Sequence, residues 1–565
     1  MAEPRVVVVG AGPVGLATAL GLARAGVDSL LVDAAEGPSG VGSRAICVQR
    51  DVLDLLDRLG VGRQIAAEGV SWTLGRTYFR SRELFQTHLD ADGSAFPPFV
   101  NLPQYRTEEL LLAAVAAQPR ITPRWGCAVT GLRQDGEGVS LTLTTPTGPQ
   151  TLATGWVVGC DGARSRVRAL AGVDFPGHSH ADRFLIADVR ADLPFPDERR
   201  FFFDPPFNPG RTVLIHPQPD RVWRFDWQVP AAVDAEEERR TGRLDARIRA
   251  IAGDTPYELI WLSSYRFSQR VVPRFRAGSV LLAGDAAHLF SPFGARGMNS
   301  GLHDAENLAW KLGLVVRGLA PDALLDTYHE ERHAAAVENL RVTDATMRFM
   351  VPPTRARRAL RDATLLTSRV PAIRRRVDSG RLATPFDYEG SSLVVAPEGA
   401  RADGPRAGRL APDAPCRVVG DDGPRRLREL VGPETLLLAL PQSPAQTARL
   451  LADLSRQPPR APVRVLLLTP AVDLAARGVT LLQDPEGVIS RRYPSGHVFV
   501  VRPDGYLGAG PIPMDGTGVA RTLDACTGNA TGNGDGVTAR RPRSAAPPPG
   551  RGTPSPRRLA GRGPR

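Results

Sequence analysis

The 565-residue sequence predicts an α/β protein of two or three domains that opens with a Rossmann-like unit. Three observations predict it. The chain is longer than one hydrophobic core usually holds. Its opening runs from a valine strand through a glycine turn and an apolar helix into a second strand, a βαβ unit of about the usual ~30 residues. Helix and strand patterns then alternate to residue 350 and resume over 413–510.

Residues 5–9 (RVVVV) are a continuous apolar run, the mark of a strand buried on both faces. GAGPVG follows, then a helix over Leu16–Ala25 that Gly26 stops, then the strand Ser29–Asp33. Helical patterns cover 51–59 and 107–117, and alternation at 138–145 and 152–158 predicts strands. Residues 184–229 are rich in Phe, Trp and Val, with turns at DPPFNPG and PQPD, and predict antiparallel sheet. A strand at Ser279–Leu282 leads by a loop into helices at 299–317 and 322–348. Pro and Arg crowd 351–412, which reads as a linker or helical hairpin. TLLLAL, a helix at 443–456, VRVLLL and HVFVV restore the α/β rhythm. Residues 516–565 hold almost no large apolar side chains and predict a disordered basic tail. An out-of-frame or truncated end would read the same way.

Composition narrows the function classes. Hydrophobic residues are 42% and charged residues 23%, which excludes a wholly disordered or collagen-like chain. No run of 18 apolar residues predicts a spanning helix. The net charge is +11, but residues 516–565 alone hold nine Arg against two Asp. The remainder is only mildly basic, so neither a nucleic-acid groove nor a membrane-binding surface is expected. Five scattered cysteines without a CxxC pair argue against a disulfide framework and for a reducing compartment. The N-terminus has no basic segment and no cleavage site, so a cytoplasmic location is expected.

Gly10-Ala11-Gly12-Pro13-Val14-Gly15 fits G-x-G-x-x-G directly after a strand and opening a helix. Gly10 permits the tight turn, Gly12 lets backbone approach a diphosphate, and Gly15 lets helix and strand pack closely. The helix start offers N–H groups and a positive dipole end to phosphates. Asp33 ends the second strand, placed for an adenosine ribose. This pattern binds an ADP moiety and does not choose FAD over NAD.

Residues 282–301 read LAGDAAHLFSPFGARGMNSG, followed by LHDAENLAWKL, and residues 157–168 read VVGCDGARSRVR. With GAGPVG, these resemble the three signatures of class A flavoprotein monooxygenases, the p-hydroxybenzoate hydroxylase-like family. The stretch from GDAAH to NLAWKL is similar to hydroxyphenylpropionate, phenol and polyketide hydroxylases. The flavin loop reads Pro292-Phe293-Gly294-Ala295-Arg296-Gly297, where many relatives carry P-x-G-G-Q-G.

The resemblance implies a fold and a site. Residues 1–70, 101–175 and 273–350 would form a Rossmann-like FAD-binding domain, interleaved with a β-rich substrate domain at 71–100 and 176–272. A linker or helical segment at 351–404 would lead to a thioredoxin-like domain at 405–512. Without a CxxC that domain would be structural or dimer-forming, and a homodimer is among the expected states. Asp285 would hold the ribityl chain of FAD. Backbone N–H groups of Arg296–Asn299, with Pro292, Gly297 and Met298, would face flavin N1 and C2=O. Asp161 would serve FAD and nicotinamide use, cap the helix after it, or do both. Arg44 would contact the FAD diphosphate, or be a surface charge. Gln104 would sit near the flavin side chain, or be a helix-start polar residue.

The implied activity is an NAD(P)H-consuming monooxygenase that hydroxylates a phenolic ring through a C4a-hydroperoxyflavin, with FAD bound and NADH or NADPH and O2 as co-substrates. The alternatives are a flavin oxidoreductase of the same fold that inserts no oxygen, and a non-catalytic binder of flavin or an aromatic ligand. On the substrate side Trp223, Phe225 and Trp227 share a face at period two, read as sheet core in preference to pocket lining. His216 or Tyr265 would contact a phenol, and no catalytic base is assigned. His329-Glu330-Glu331-Arg332-His333 matches H-E-x-x-H, but no third ligand is evident. It reads as a solvated helical face, and no metal site is expected.

Overall fold

The computed structural model describes residues 4–529 without 39, 41–44, 90–92, 137, 292–293, 353, 369, 371, 374–383, 396–403, 422, 469–478 and 515–517. Its first sheet runs in the order Arg276–Ala277, Val280–Leu282, Trp156–Gly159, Val6–Val9, Ser29–Val32, Ile121–Arg124. The last five strands are mutually parallel, and Arg276–Ala277 adds an antiparallel edge. Val6, Val7 and Val8 have no exposed surface, as an unbroken valine run in a covered parallel sheet should.

Helix Pro13–Arg24 follows the first strand and crosses helix Arg296–Val316 at close range. Small residues make the approach possible. A Cβ on Gly21 would stand 2.7 Å from Ala309 Cβ, and one on Gly313 would stand 2.5 Å from Ala25 Cβ. Val14 sits against Gly284 and Gly301, where an added Cβ would lie 2.9 and 2.6 Å from its Cγ2.

A second sheet has eight strands, ordered His288–Leu289, Tyr257–Val271, Gly177–Ala191, Val222–Val229, Thr212–Gln218, Arg199–Phe203, Leu74–Phe79, Arg82–His88. Neighbours are antiparallel except Arg199–Phe203 and Leu74–Phe79, which run parallel. Segments far apart in sequence thus share each sheet. One face of this sheet buries Trp223, Phe225 and Trp227 against helix Arg243–Ala252, so the period-two face is core, as expected.

A third large sheet has seven strands, with Thr435–Leu440, Val463–Leu468 and Val479–Gln483 parallel at its centre and His497–Val501 and Leu507–Pro513 antiparallel beside them. It meets the rest of the protein through buried charge. Arg502 donates to Glu331 Oε1 at 2.5 Å and Oε2 at 2.8 Å, and to Asp504 Oδ2 at 2.5 Å. Lys311 Nζ donates to Glu331 Oε2 at 2.7 Å. Burial opposes the Glu331 carboxylate, but Arg502 and Lys311 outweigh it and hold the group well below the usual range.

Three expectations need correction. The pattern at 152–158 is not one strand: Gly148–Thr154 belongs to a three-stranded antiparallel sheet and Trp156–Gly159 to the parallel one, with Gly155 between. The tail is not wholly without structure. Residues Val519–Cys526 form a helix that buries Val519, Leu523 and Cys526, one face at helical spacing, and Asn529 Nδ2 donates to Leu319 O at 2.9 Å. Residues 530–565 lie outside the described residues. The H-E-x-x-H helix is not a solvated face: Glu331 is buried in the charge cluster, Glu330 accepts from Ser392 Oγ at 2.6 Å, and the His329 and His333 rings pack against Phe275. Among the described residues no helix is long and apolar enough to cross a membrane.

Candidate active site

The starts of helices Pro13–Arg24 and Arg296–Val316 open onto one cavity of about 360 Å³. Neither N-cap, Gly12 or Ala295, carries a side-chain capping bond among the described residues. The first amides of each helix have no partner within the helix, so both ends present N–H groups and positive dipole to the same space.

Each glycine of the first turn answers a different demand. Gly10 has φ +104°, and an added Cβ would lie 2.5 Å from Cys160 O. A Cβ on Gly15 would lie 1.8 Å from Gly10 O. A Cβ on Gly12 would meet nothing within 4 Å, because Gly12 faces the cavity. The backbone there is open to a ligand. Gly297, at the second helix start, is equally open.

Asp33 follows the second strand and straps the turn: its Oδ2 accepts Ala11 N–H at 2.6 Å and its Oδ1 accepts Ala35 N–H at 2.8 Å. Gln104 begins helix Gln104–Ala116, lines the cavity, accepts Ala45 N–H at 3.1 Å and donates to Glu108 at 2.8 Å. Burial and the Asp33 charge raise the Glu108 carboxyl above its usual range. Asp285 lines the cavity beside Val14.

Asn299 is held by its side chain. Its Oδ1 accepts Gln49 N–H at 3.0 Å, and its Nδ2 donates to Cys47 O at 2.9 Å and Ala295 O at 2.6 Å. Met298 packs against the first core. Arg296 lines the cavity and donates to Asn339.

Asp161 does not reach the cavity wall with the others. Its carboxylate accepts Ser165 Oγ at 2.5 Å, Arg166 N–H at 2.6 Å and Val167 N–H at 3.0 Å, which caps helix Arg166–Leu170. Neighbouring Cys160 and Gly162 do line the cavity. Arg44 and Pro292 lie outside the described residues.

A second layer supports the first. Asp304, fully buried, accepts Gly284 N–H at 3.0 Å and Arg332 Nε at 2.6 Å, and lies 2.6 Å from His288 Nε2. Burial opposes this carboxylate, but His288 and Arg332 hold it below the usual range. His288 thus has a partner that the sequence did not reveal, because Asp304 lies a helix away and its spacing carries no pattern.

The opposite wall comes from the eight-stranded sheet and its neighbours. Phe184, Ile186, Leu214, Trp261, Tyr265 and Phe267 give it an apolar, aromatic surface. His216, Arg224 and Asp226 line it too, of which sequence reasoning named only His216, beside Tyr265. Alternation shows which residues share a face, but not which face meets a cavity.

Comparison with known proteins fits this geometry. Residues 3–343 match the family model described as FAD binding domain. The chain belongs to the FAD-binding family of class A flavin monooxygenases. The monooxygenase is 33% identical, over 75% of its chain and 82% of the relative, to 12-dehydrotetracycline 5-monooxygenase/anhydrotetracycline 6-monooxygenase of Streptomyces rimosus subsp. rimosus. It is 31% identical, over 90% of both chains, to 6-methylpretetramide 4-monooxygenase of Streptomyces rimosus. Its fold is similar to the crystal structure of aklavinone-11 hydroxylase in a ternary complex with FAD and aklavinone, at a TM-score of 0.72 and 26% identity over 94% of this chain and 99% of that one.

Proposed function

We propose that the protein is an FAD-dependent, NAD(P)H-consuming monooxygenase that places one oxygen atom on a phenolic, polycyclic ring. One observation carries the reading: two uncapped helix starts converge on a single cavity whose far wall is aromatic sheet. The first start suits a diphosphate, and the second suits the electron-rich edge of a reduced flavin ring. The names of the relatives, which concern tetracycline-type compounds and aklavinone, support a polycyclic substrate.

In this reading Gly12 and Val14 approach the FAD diphosphate, together with Arg44, and Asp33 serves the ribose while it straps the turn. Gln104 and Asp285 flank the ribityl chain. Gly297, Met298 and Asn299 offer their amides to the flavin pyrimidine, beside Pro292. Asp161 acts from behind, by capping the helix that carries Arg166. Bound FAD supplies hydride acceptance from NADH or NADPH and activation of O2 for oxygen transfer. The chain binds, orients and shields, and the aromatic wall keeps water from the reacting centre.

Residues 405–512 read as a thioredoxin-like unit, supported by the parallel strands Thr435–Leu440, Val463–Leu468 and Val479–Gln483 with helix Pro444–Arg456. Burial pushes the thiols of Cys416 and Cys526 up to about 12, which suits a structural and not a redox role.

The test is a panel of simple and polycyclic phenols with purified, FAD-loaded enzyme under 18O2. Substrate-stimulated NAD(P)H oxidation with label in the product is the expected result. Flavin reduction without labelled product would favour an oxidoreductase that inserts no oxygen. FAD that no nicotinamide reduces would favour a non-catalytic binder.

A further inference from the structure

Residues paired across antiparallel strands share a face, as do residues two apart on one strand. On the cavity side of the eight-stranded sheet, one row runs His216, Arg224, Asp188, Trp261. The next runs Leu214, Asp226, Ile186, Ser263. The two rows hold two acids with opposite fates.

Asp188 is satisfied inside the protein. It accepts Arg224 Nε and Nη2, both at 2.8 Å, and Gln218 Nε2 at 2.9 Å. That fork neutralises Arg224 where it stands. Asp226 sits between apolar neighbours, Leu214 and Ile186, and its Oδ1 is shielded from solvent without a hydrogen-bond partner among the described residues. His216, its diagonal neighbour, is in the same condition at Nδ1. An unpaired buried polar atom costs about 1–3 kcal/mol. Two of them, on adjacent rows of one wall of a cavity that Gly297 and Asn299 also line, call for a partner that arrives with the ligand.

The geometry points to Asp226 as the catalytic base that takes the proton of the substrate's phenolic hydroxyl, with His216 hydrogen-bonding an oxygen of the same ring system. This rests on the monooxygenase reading and adds the residue it lacks. The substrate O–H bond breaks, the proton passes to Asp226 Oδ1, and the electron pair stays on the substrate oxygen. The resulting phenolate is electron-rich at its ortho and para carbons, where oxygen is inserted. As the ring re-aromatises, the C–H bond at the carbon bearing the new oxygen breaks, its electron pair returns to the ring and its proton leaves to water, while Asp226 gives its own proton back to the substrate oxygen.

The surroundings suit the role. Burial pushes the Asp226 carboxyl up to about 7; Arg224 and Arg199 pull it down and Asp188 pushes it up. Burial, with Arg199 and Arg224, holds His216 well below its ordinary value, so it stays neutral at pH 7. Cys47 faces the same group, its thiol raised by burial to about 12 and therefore uncharged.

The experiment compares FAD-loaded wild type with Asp226→Asn and Asp226→Glu under 18O2, using the phenol of the panel that wild type hydroxylates. The wild-type kcat/KM for labelled product is expected to rise with pH through about 7, because the base must be ionised. Asp226→Asn is expected to keep stoichiometric FAD, lose about 10²- to 10⁴-fold in kcat/KM, lose that rising limb and release H2O2 instead of product. Asp226→Glu is expected to restore the limb. An FAD-replete Asp226→Asn enzyme that makes labelled product with an unaltered pH profile would overturn the proposal. A wild type that labels no phenol of the panel would overturn the monooxygenase reading itself.

Discussion

The side chain of Asn299 is hydrogen-bonded to the backbone of Gln49, whose N–H it accepts at 3.0 Å across 250 positions of sequence. The same amide reaches Cys47 O at 2.9 Å, so the start of one helix is fastened to the strand that forms a side of the cavity. Asn299→Ala would orphan buried backbone groups and let that helix start drift. With about 1 kcal/mol lost per bond, FAD affinity should fall roughly 10- to 100-fold. Fluorescence titration of the apoprotein with FAD measures it, and an unchanged affinity would separate this anchor from flavin binding.

Gly12 and Gly15 should respond in opposite ways to the same substitution. Gly15→Ala would press a methyl group into Gly10 O, so soluble yield and urea midpoint should drop. Gly12→Ala meets only open cavity, so the apoprotein should unfold at the wild-type urea concentration while binding FAD far more weakly. Equal stability losses for both would remove the diphosphate role from Gly12.

The Glu331–Arg502 pair should be a stability determinant, because both ions are buried and each satisfies the other. Arg502→Met leaves the Glu331 and Asp504 carboxylates with one cation fewer, and breaking such a pair costs roughly 3–5 kcal/mol. Urea unfolding reads this out, and brief protease exposure should release the C-terminal sheet sooner than in wild type. Since the folded state holds Glu331 below its usual range, this contribution is present above about pH 4.5 and is lost as pH falls. A variant with wild-type stability at pH 7 would show that the cluster is not what joins the two parts.

Asp226 should carry the reverse dependence. Its carboxyl binds a proton more tightly folded than unfolded, from the ordinary 3.8 up to about 7. Wild-type apoprotein is therefore most stable on this account below about pH 4 and loses stability as pH rises towards 7. Asp226→Asn removes the penalty, so the variant should gain over wild type by up to about 4 kcal/mol at pH 8, at 1.36 kcal/mol per pKa unit, and by nothing at pH 4. Urea midpoints of the FAD-free proteins at the two pH values decide it. A group that destabilises its own fold at working pH is the pattern expected of a catalytic side chain.

What was readable in the sequence was what local chemistry dictates. The glycine turn was legible because positive φ and close backbone approach admit no other residue at Gly10 and Gly15. The core face of Trp223, Phe225 and Trp227 was legible because strands alternate. Asp226 and Arg224 share a strand with those residues, yet their role was hidden, since periodicity assigns faces and not what lies opposite. Asp161 was ambiguous for a related reason: an acid before a helix can cap it, bind a ligand or do both, and it is the Ser165, Arg166 and Val167 contacts that show the cap. The helix Val519–Cys526 escaped notice because its few apolar residues matter only against a sheet formed elsewhere in the chain.

The parallel sheet has a consequence for how the protein is made. Val6–Val9 is flanked by Ser29–Val32 and Trp156–Gly159, so during synthesis at ~5–20 residues per second its second neighbour follows by about 150 residues, or roughly 8–30 s. Through that interval the nascent chain displays a wholly apolar strand with one naked edge, the kind of surface that invites chaperones or aggregation. Expression in a foreign host should thus depend on translation speed and chaperone supply as much as on the stability of the finished molecule.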